Sequence, residues 1–143
     1  MGTGVRLEFP AEGAVRPGDL VTPTATGGCV PHATADTKPL MLIAIEAEVF
    51  GRGLNTGSGY SSINATPDYV IGDRVYCEAL HTGMQVNCNV PAGAPAIAVG
   101  APLTSNGSGG VKIGTAANAI GYAAEAVDNS AGTTLTRIRV MLL

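Results

Sequence analysis

The chain has 143 residues, enough for one domain that buries roughly 70% of its unfolded surface. Eight basic and eleven acidic residues give a net charge of −3 with no block of either sign, so the basic stripe of a nucleic-acid binder is missing. Charged residues make up 13% and aromatic residues 4%, with no Trp, so the 45% that are apolar are mostly small and suit thin β layers better than a thick core.

The longest apolar run, Leu40 to Ile45, is far short of the ~20 residues that span a bilayer. Met1 to Pro10 lacks the basic start and apolar stretch of a signal peptide, and Arg6 breaks the myristoylation pattern, so synthesis in a cytoplasm is the expectation. Gly (20) and Pro (9) make up about a fifth of the chain, below the rough 25–30% that marks disorder. A folded, loop-rich, single β domain over 1–143 is expected, either a small β-barrel or a β-sandwich.

In chain order, Val5, Leu7 and Phe9 alternate with Arg6 and Glu8 until Pro10 ends the run, an extended N-terminal segment within a candidate arm over 1–18. Pro17-Gly18-Asp19 turns the chain into Leu20-Val21-Thr22. The same device returns at Ile71-Gly72-Asp73 and, varied, at Val99-Gly100-Ala101, which suggests recurring barrel corners where Gly takes a conformation other residues resist. Met41, Ile43, Ile45, Ala47 and Val49 form one face of a strand and Glu46 and Glu48 lie on the other; good helix formers make a helix the rival reading. Residues 51–68 read as a long polar loop, a contact surface or an insertion.

A two-residue turn at Thr82-Gly83 would place Val75 opposite Val90, Cys77 opposite Cys88, Ala79 opposite Val86 and His81 opposite Met84, all on one face. Tyr76, Glu78, Gln85, Asn87 and Asn89 then take the other face. From Ala119 to Val127 small and apolar residues dominate, Asp128–Gly132 closes a turn, and Thr136, Ile138, Val140 and Leu142 alternate with Arg137 and Arg139. That is two strands joined by a polar loop, the second with one wet face.

Reactive chemistry is hard to assemble from these residues. Cys77 and Cys88, as cross-strand neighbours, are within conceivable disulfide geometry, but two small buried thiols in a reducing cytoplasm is the simpler reading. Cys29 and His32 have metal-like spacing, which His81 and Cys88 would have to complete; the repeated tight pairs of a zinc site are missing. No Gly-x-Ser-x-Gly elbow exists, and Lys112 follows Val111 where a phosphate loop needs Gly-Lys-Ser/Thr. Glu46 and Glu48 would lie ~7 Å apart, within a glycosidase's range, but no substrate-stacking aromatic is nearby. No catalytic, cofactor-binding or metal-ligating residue is expected.

Several segments resemble, in order, the capsid decoration (cement) proteins of tailed double-stranded DNA bacteriophages. They are LIAIEAEVFGRG (42–53), YVIGDRVYCEAL (69–80), AIAVGAPLTSNGSGGVKI (96–113) and IGYAAEAVDNSAGTTLTRIRV (120–140), the last being the closest. The likeness covers about 100 residues from Leu40 onward; a longer 54–68 loop and Ala101, where an acidic residue is more usual, depart from it. The resemblance implies a non-enzymatic protein on the outer surface of a phage head. It would bind the major capsid protein as a homotrimer at threefold positions and need no cofactor, nucleic acid or membrane. Val5, Arg6, Leu7, Phe9 and Arg52 are the expected capsid or trimer contacts, within residues 1–22 and the 51–68 loop. A head-fibre or tail adhesin that binds host glycans is the alternative, and a small β-barrel hydrolase a more distant one.

Overall fold

The computed structural model describes residues 5–38, 40–45 and 69–143. The protein is all-β: the described residues form ten strands, one 3-10 turn at Ala116–Asn118 and no α-helix. The strands are β1 (Val5–Pro10), β2 (Val21–Pro23), β3 (Cys29–Pro31), β4 (Leu42–Ala44), β5 (Arg74–Ala79), β6 (Gln85–Val90), β7 (Pro102–Ser105), β8 (Val111–Ile113), β9 (Gly121–Ala123) and β10 (Thr136–Leu142). They form a three-stranded sheet β1-β5-β4, a five-stranded sheet β6-β10-β9-β7-β8 and a two-stranded pair β2-β3. Every ladder is antiparallel, and the sheets stack like a sandwich; the alternative of a closed barrel is not what forms.

The C-terminal pattern folds as its alternation predicts. Ile138, Val140 and Leu142 point into the core while Arg139 and Met141 face water, and β10 pairs with β9 through Val140↔Ala123. The Gly-rich segment 106–110 is a turn between β7 and β8, pinned where Asn106 Oδ1 accepts the Ser108 and Gly110 amides at 2.8 and 3.1 Å.

The expected corners are also present. Gly18, Gly72 and Gly100 all have positive φ, at 91°, 92° and 82°. In the first two, the amide of the Asp bonds back to a carbonyl three residues earlier, and its carboxylate accepts that residue's amide: Arg16 N to Asp19 at 2.8 Å and Val70 N to Asp73 at 3.0 Å. Ala101 has no carboxylate to close the third corner in this way, although its amide still bonds to Ala98 O at 3.2 Å.

One expected pairing is overturned. β5 and β6 do not form a hairpin: β5 lies between β1 and β4, and β6 pairs with β10. The turn between them exists, with Met84 N bonded to His81 O at 3.2 Å and Gly83 at φ 88°. Positive φ falls only on its second central residue, which is the type II form. Type II turns splay the flanking strands instead of matching their twist, so the chain crosses from one sheet to the other. Cys77 consequently faces Leu7 and Ala44 across the ladders, and Cys88 faces Ile138. Val75, Cys77, Cys88 and Val90 are all buried as the alternation requires, but in two separate cores.

The first core gathers Leu20, Ile43, Cys88, Val90, Leu103, Val111, Ile120, Ile138 and Val140 around the five-stranded sheet. The second holds Ala11, Val15, Val21, Cys29, Leu42, Ala44, Tyr69, Val75 and Cys77. β4 serves both: Ile43 belongs to the first core and its neighbours Leu42 and Ala44 to the second. That explains why three consecutive apolar residues are buried there. Its expected continuation through Ala47 and Val49, with Glu46 and Glu48 opposite, lies outside the described residues.

Candidate contact surface

β1 is the outer strand of its sheet among the described strands. Leu7 lies opposite Cys77 and Phe9 opposite Val75, so Val5, Leu7 and Phe9 share the face that holds the second core. Cover thins along the strand. Phe9 is half-buried against the core, Leu7 is 36% exposed and Val5 is 66% exposed. Arg6 and Glu8 lie on the opposite face, where Glu8 pairs with Arg74 at 3.0 Å. Such an exposed ion pair adds little stability, in the range of about 0–1 kcal/mol.

A shallow cleft of about 360 Å³ runs beside the strand's end, lined by Glu8, Phe9, Pro10, Gly72 and Arg74. The corner at 70–73, whose Gly72 lines the cleft, holds Val70 and Ile71 in solvent at 57% and 73% exposure. This corner is tied to the strand's exit by Gly72 N to Ala11 O at 2.9 Å and Ala11 N to Asp73 O at 2.7 Å. Four exposed apolar side chains thus belong to this edge and its corner: Val5 and Leu7 on the core-side face of β1, and Val70 and Ile71 at the corner. Val70 and Ile71 were not among the expected contacts. Their signal in the sequence is two β-branched residues placed directly before a Gly-Asp corner, where a turn tip faces water.

The structure thus places Val5, Arg6, Leu7 and Phe9 together on one edge strand. Arg52, with the rest of 51–68, lies outside the described residues. The 1–22 region is not uniformly a surface. Ala11, Val15, Leu20 and Val21 are core residues, whereas Val5–Pro10 is largely exposed and Glu12 and Ala14 are exposed beyond it.

The residues weighed for metal or catalytic chemistry do not converge. His32 is a buried histidine whose Nδ1 and Nε2 each lie 2.9 Å from a threonine hydroxyl, Thr22 and Thr37. His81 sits exposed at its turn, with Nδ1 3.1 Å from Thr82 O. Burial pushes the Cys88 thiol up to about 12, leaving it protonated and inert. All three cysteines are free and buried. No group of three or more His, Cys, Asp or Glu able to hold a metal occurs among the described residues.

A polar cluster that the sequence did not announce lies at the seam between β6 and the β7–β8 turn. Asn89, expected on a wet face, is 1% exposed because the 16–19 corner lies on it: Asn89 N bonds Gly18 O at 3.2 Å, and Leu20 N bonds Gly109 O at 2.7 Å. The Asn89 amide donates to Asp19 Oδ1 at 2.8 Å and to Pro17 O at 3.0 Å. Burial raises the Asp19 pKa, only partly offset by Asn89 and by the Arg16 amide and charge. A 270 Å³ cleft beside it is lined by Arg16, Asn106, Thr133 and Thr134. The Asp19 oxygens are committed to Asn89 and the corner, so the cluster serves as a structural clasp.

Among known proteins, the chain matches no family model and no curated protein.

Proposed function

We propose that this protein is a non-enzymatic capsid decoration protein that binds the outer surface of a phage head, as trimers at threefold positions, and stabilises the shell. The observation that carries the reading is the exposure of Val5 and Leu7 on an edge strand, with Val70 and Ile71 at the corner tied to that strand's exit, four of the nine large apolar side chains exposed among the described residues. An apolar strand face left open beside charged groups gains from being covered, and edge-strand addition is one way a partner can cover it. Trimers would present several such faces at once, so that avidity exceeds single-site affinity by roughly 10²–10⁴. Many modest contacts are then enough to clamp a shell.

The test is cosedimentation with expanded phage capsids that lack a decoration protein. Wild-type protein is expected to pellet with the shells and to raise the temperature at which they rupture. The truncation has to stop before the core: removing residues 2–8 takes away Val5 and Leu7, whereas removing 2–16 would also take Ala11 and Val15 out of the second core. A folded 2–8 deletion that still saturates capsids would overturn the role given to β1. Failure of the intact protein to bind any expanded capsid, together with binding to host glycans, would replace the reading with an adhesin.

A further inference from the structure

We infer that Asn106 is a self-modification site: in the native turn the Gly107 backbone nitrogen attacks its side-chain amide, converting it to aspartate and isoaspartate without an enzyme. Asn106 is the only Asn in the chain followed by Gly, whose missing side chain leaves the attacking nitrogen unhindered. The sequence permits this reaction, and the β7–β8 turn supplies the groups that promote it. Asn106 Oδ1 accepts two backbone amides, Ser108 N at 2.8 Å and Gly110 N at 3.1 Å. An oxygen held by the amides two and four residues ahead folds the carboxamide over the intervening Gly107 peptide unit. Those two N–H groups point at the atom on which charge develops during attack, at the distances of an oxyanion hole.

The Gly107 N–H donates to Ser105 Oγ at 3.1 Å. That bond lies in the peptide plane, so it orients the plane without occupying the face of the nitrogen that attacks. Asn106 is half-buried and lines the 270 Å³ cleft beside Arg16, which gives water a way in and ammonia a way out. In the first step the Gly107 nitrogen bonds to Asn106 Cγ and gives up its proton, and the carbonyl electron pair moves onto Oδ1. Return of that pair expels Nδ2, which takes up the proton and leaves as ammonia, and a five-membered succinimide remains. One water then opens the ring. Opening at Cγ gives aspartate, while opening at the backbone carbonyl gives isoaspartate, whose main chain is longer by one atom. The net change is amide plus water to acid plus ammonia, with no change of oxidation state.

The two products act differently on the fold. Aspartate keeps an acceptor for the Ser108 and Gly110 amides. Isoaspartate displaces the turn that bonds Leu20 N through Gly109 O at 2.7 Å and His32 O through Gly109 N at 3.1 Å. The inference stands whatever the contact surface binds.

The experiment incubates the full chain at neutral pH and physiological temperature, folded and, in parallel, unfolded in guanidinium chloride. Peptide mapping by mass spectrometry locates the loss, and a protein isoaspartyl methyltransferase labels isoaspartate. Loss is expected first at Asn106, with a folded rate roughly tenfold above the unfolded one, a small part of the ~10²–10³ that one oxyanion donor gives an enzyme. Ser105→Ala should lower the folded rate and leave the unfolded rate unchanged, and Ser105→Thr, which keeps the hydroxyl, should restore it. A folded rate at or below the unfolded one, a folded rate untouched by Ser105→Ala, or earlier loss at another Asn would each overturn the assignment.

Discussion

The two larger sheets use similar small residues and finish differently. The five-stranded sheet draws all its strands from 85–142, and Leu103, Ile120, Ile138 and Val140 inside it are wholly buried. The three-stranded sheet collects strands from three distant stretches over a core of Ala, Val and Cys, with Leu42 and Tyr69 its bulkiest members, and leaves Val5 and Leu7 uncovered. The first core is closed with help from Leu20 and Ile43, while the three-stranded sheet leaves one edge open. Stability should therefore concentrate in the first and partner binding in the second.

The largest effect that would test this division is Ile138→Ala. The side chain is completely buried at the centre of the first core, so its truncation is expected to cost about 2–5 kcal/mol in denaturant unfolding. A loss below 1 kcal/mol would mean that the C-terminal sheet does not dominate.

The seam comes next. Removing the donor with Asn89→Ala should cost about 1–3 kcal/mol, because the Asp19 carboxylate stays buried with one fewer hydrogen bond. Asp19 also sets a pH dependence. Its folded pKa lies above the ordinary 3.8, so its contribution is fully present below that value and is lost as pH rises through the folded pKa. Unfolding free energy measured from acid toward neutral pH should show this decline, and Asp19→Asn should remove it.

Gly72→Ala is expected to cost about 1–2 kcal/mol by forcing a Cβ into the left-handed region. No atom lies within 4 Å of the added carbon, so the cost is conformational and should appear without any change in the core. The smallest stability effect belongs to Val5→Ser and Leu7→Ser, within about 0.5 kcal/mol for such exposed positions. These same changes should abolish capsid pelleting. Reduced stability with binding intact would reverse the roles of the two sheets.

What the sequence by itself determined is local. Alternation in 136–142 named the buried and wet faces of β10, and Gly before Asp at 18–19 and 72–73 named two corners, because side-chain period and positive φ are decided within a few residues. The same locality put Cys77 and Cys88 on inward faces but could not say which core each would enter. That choice belonged to the tertiary structure: strands of similar pattern compete for the same edges, and the type II turn at 81–84 splayed β5 from β6 and let β1, β4 and β10 take them. Burial of Asn89 against the 16–19 corner, and the entry of Cys29 and Cys77 into one core, follow from that long-range competition, which no window of neighbouring residues contains.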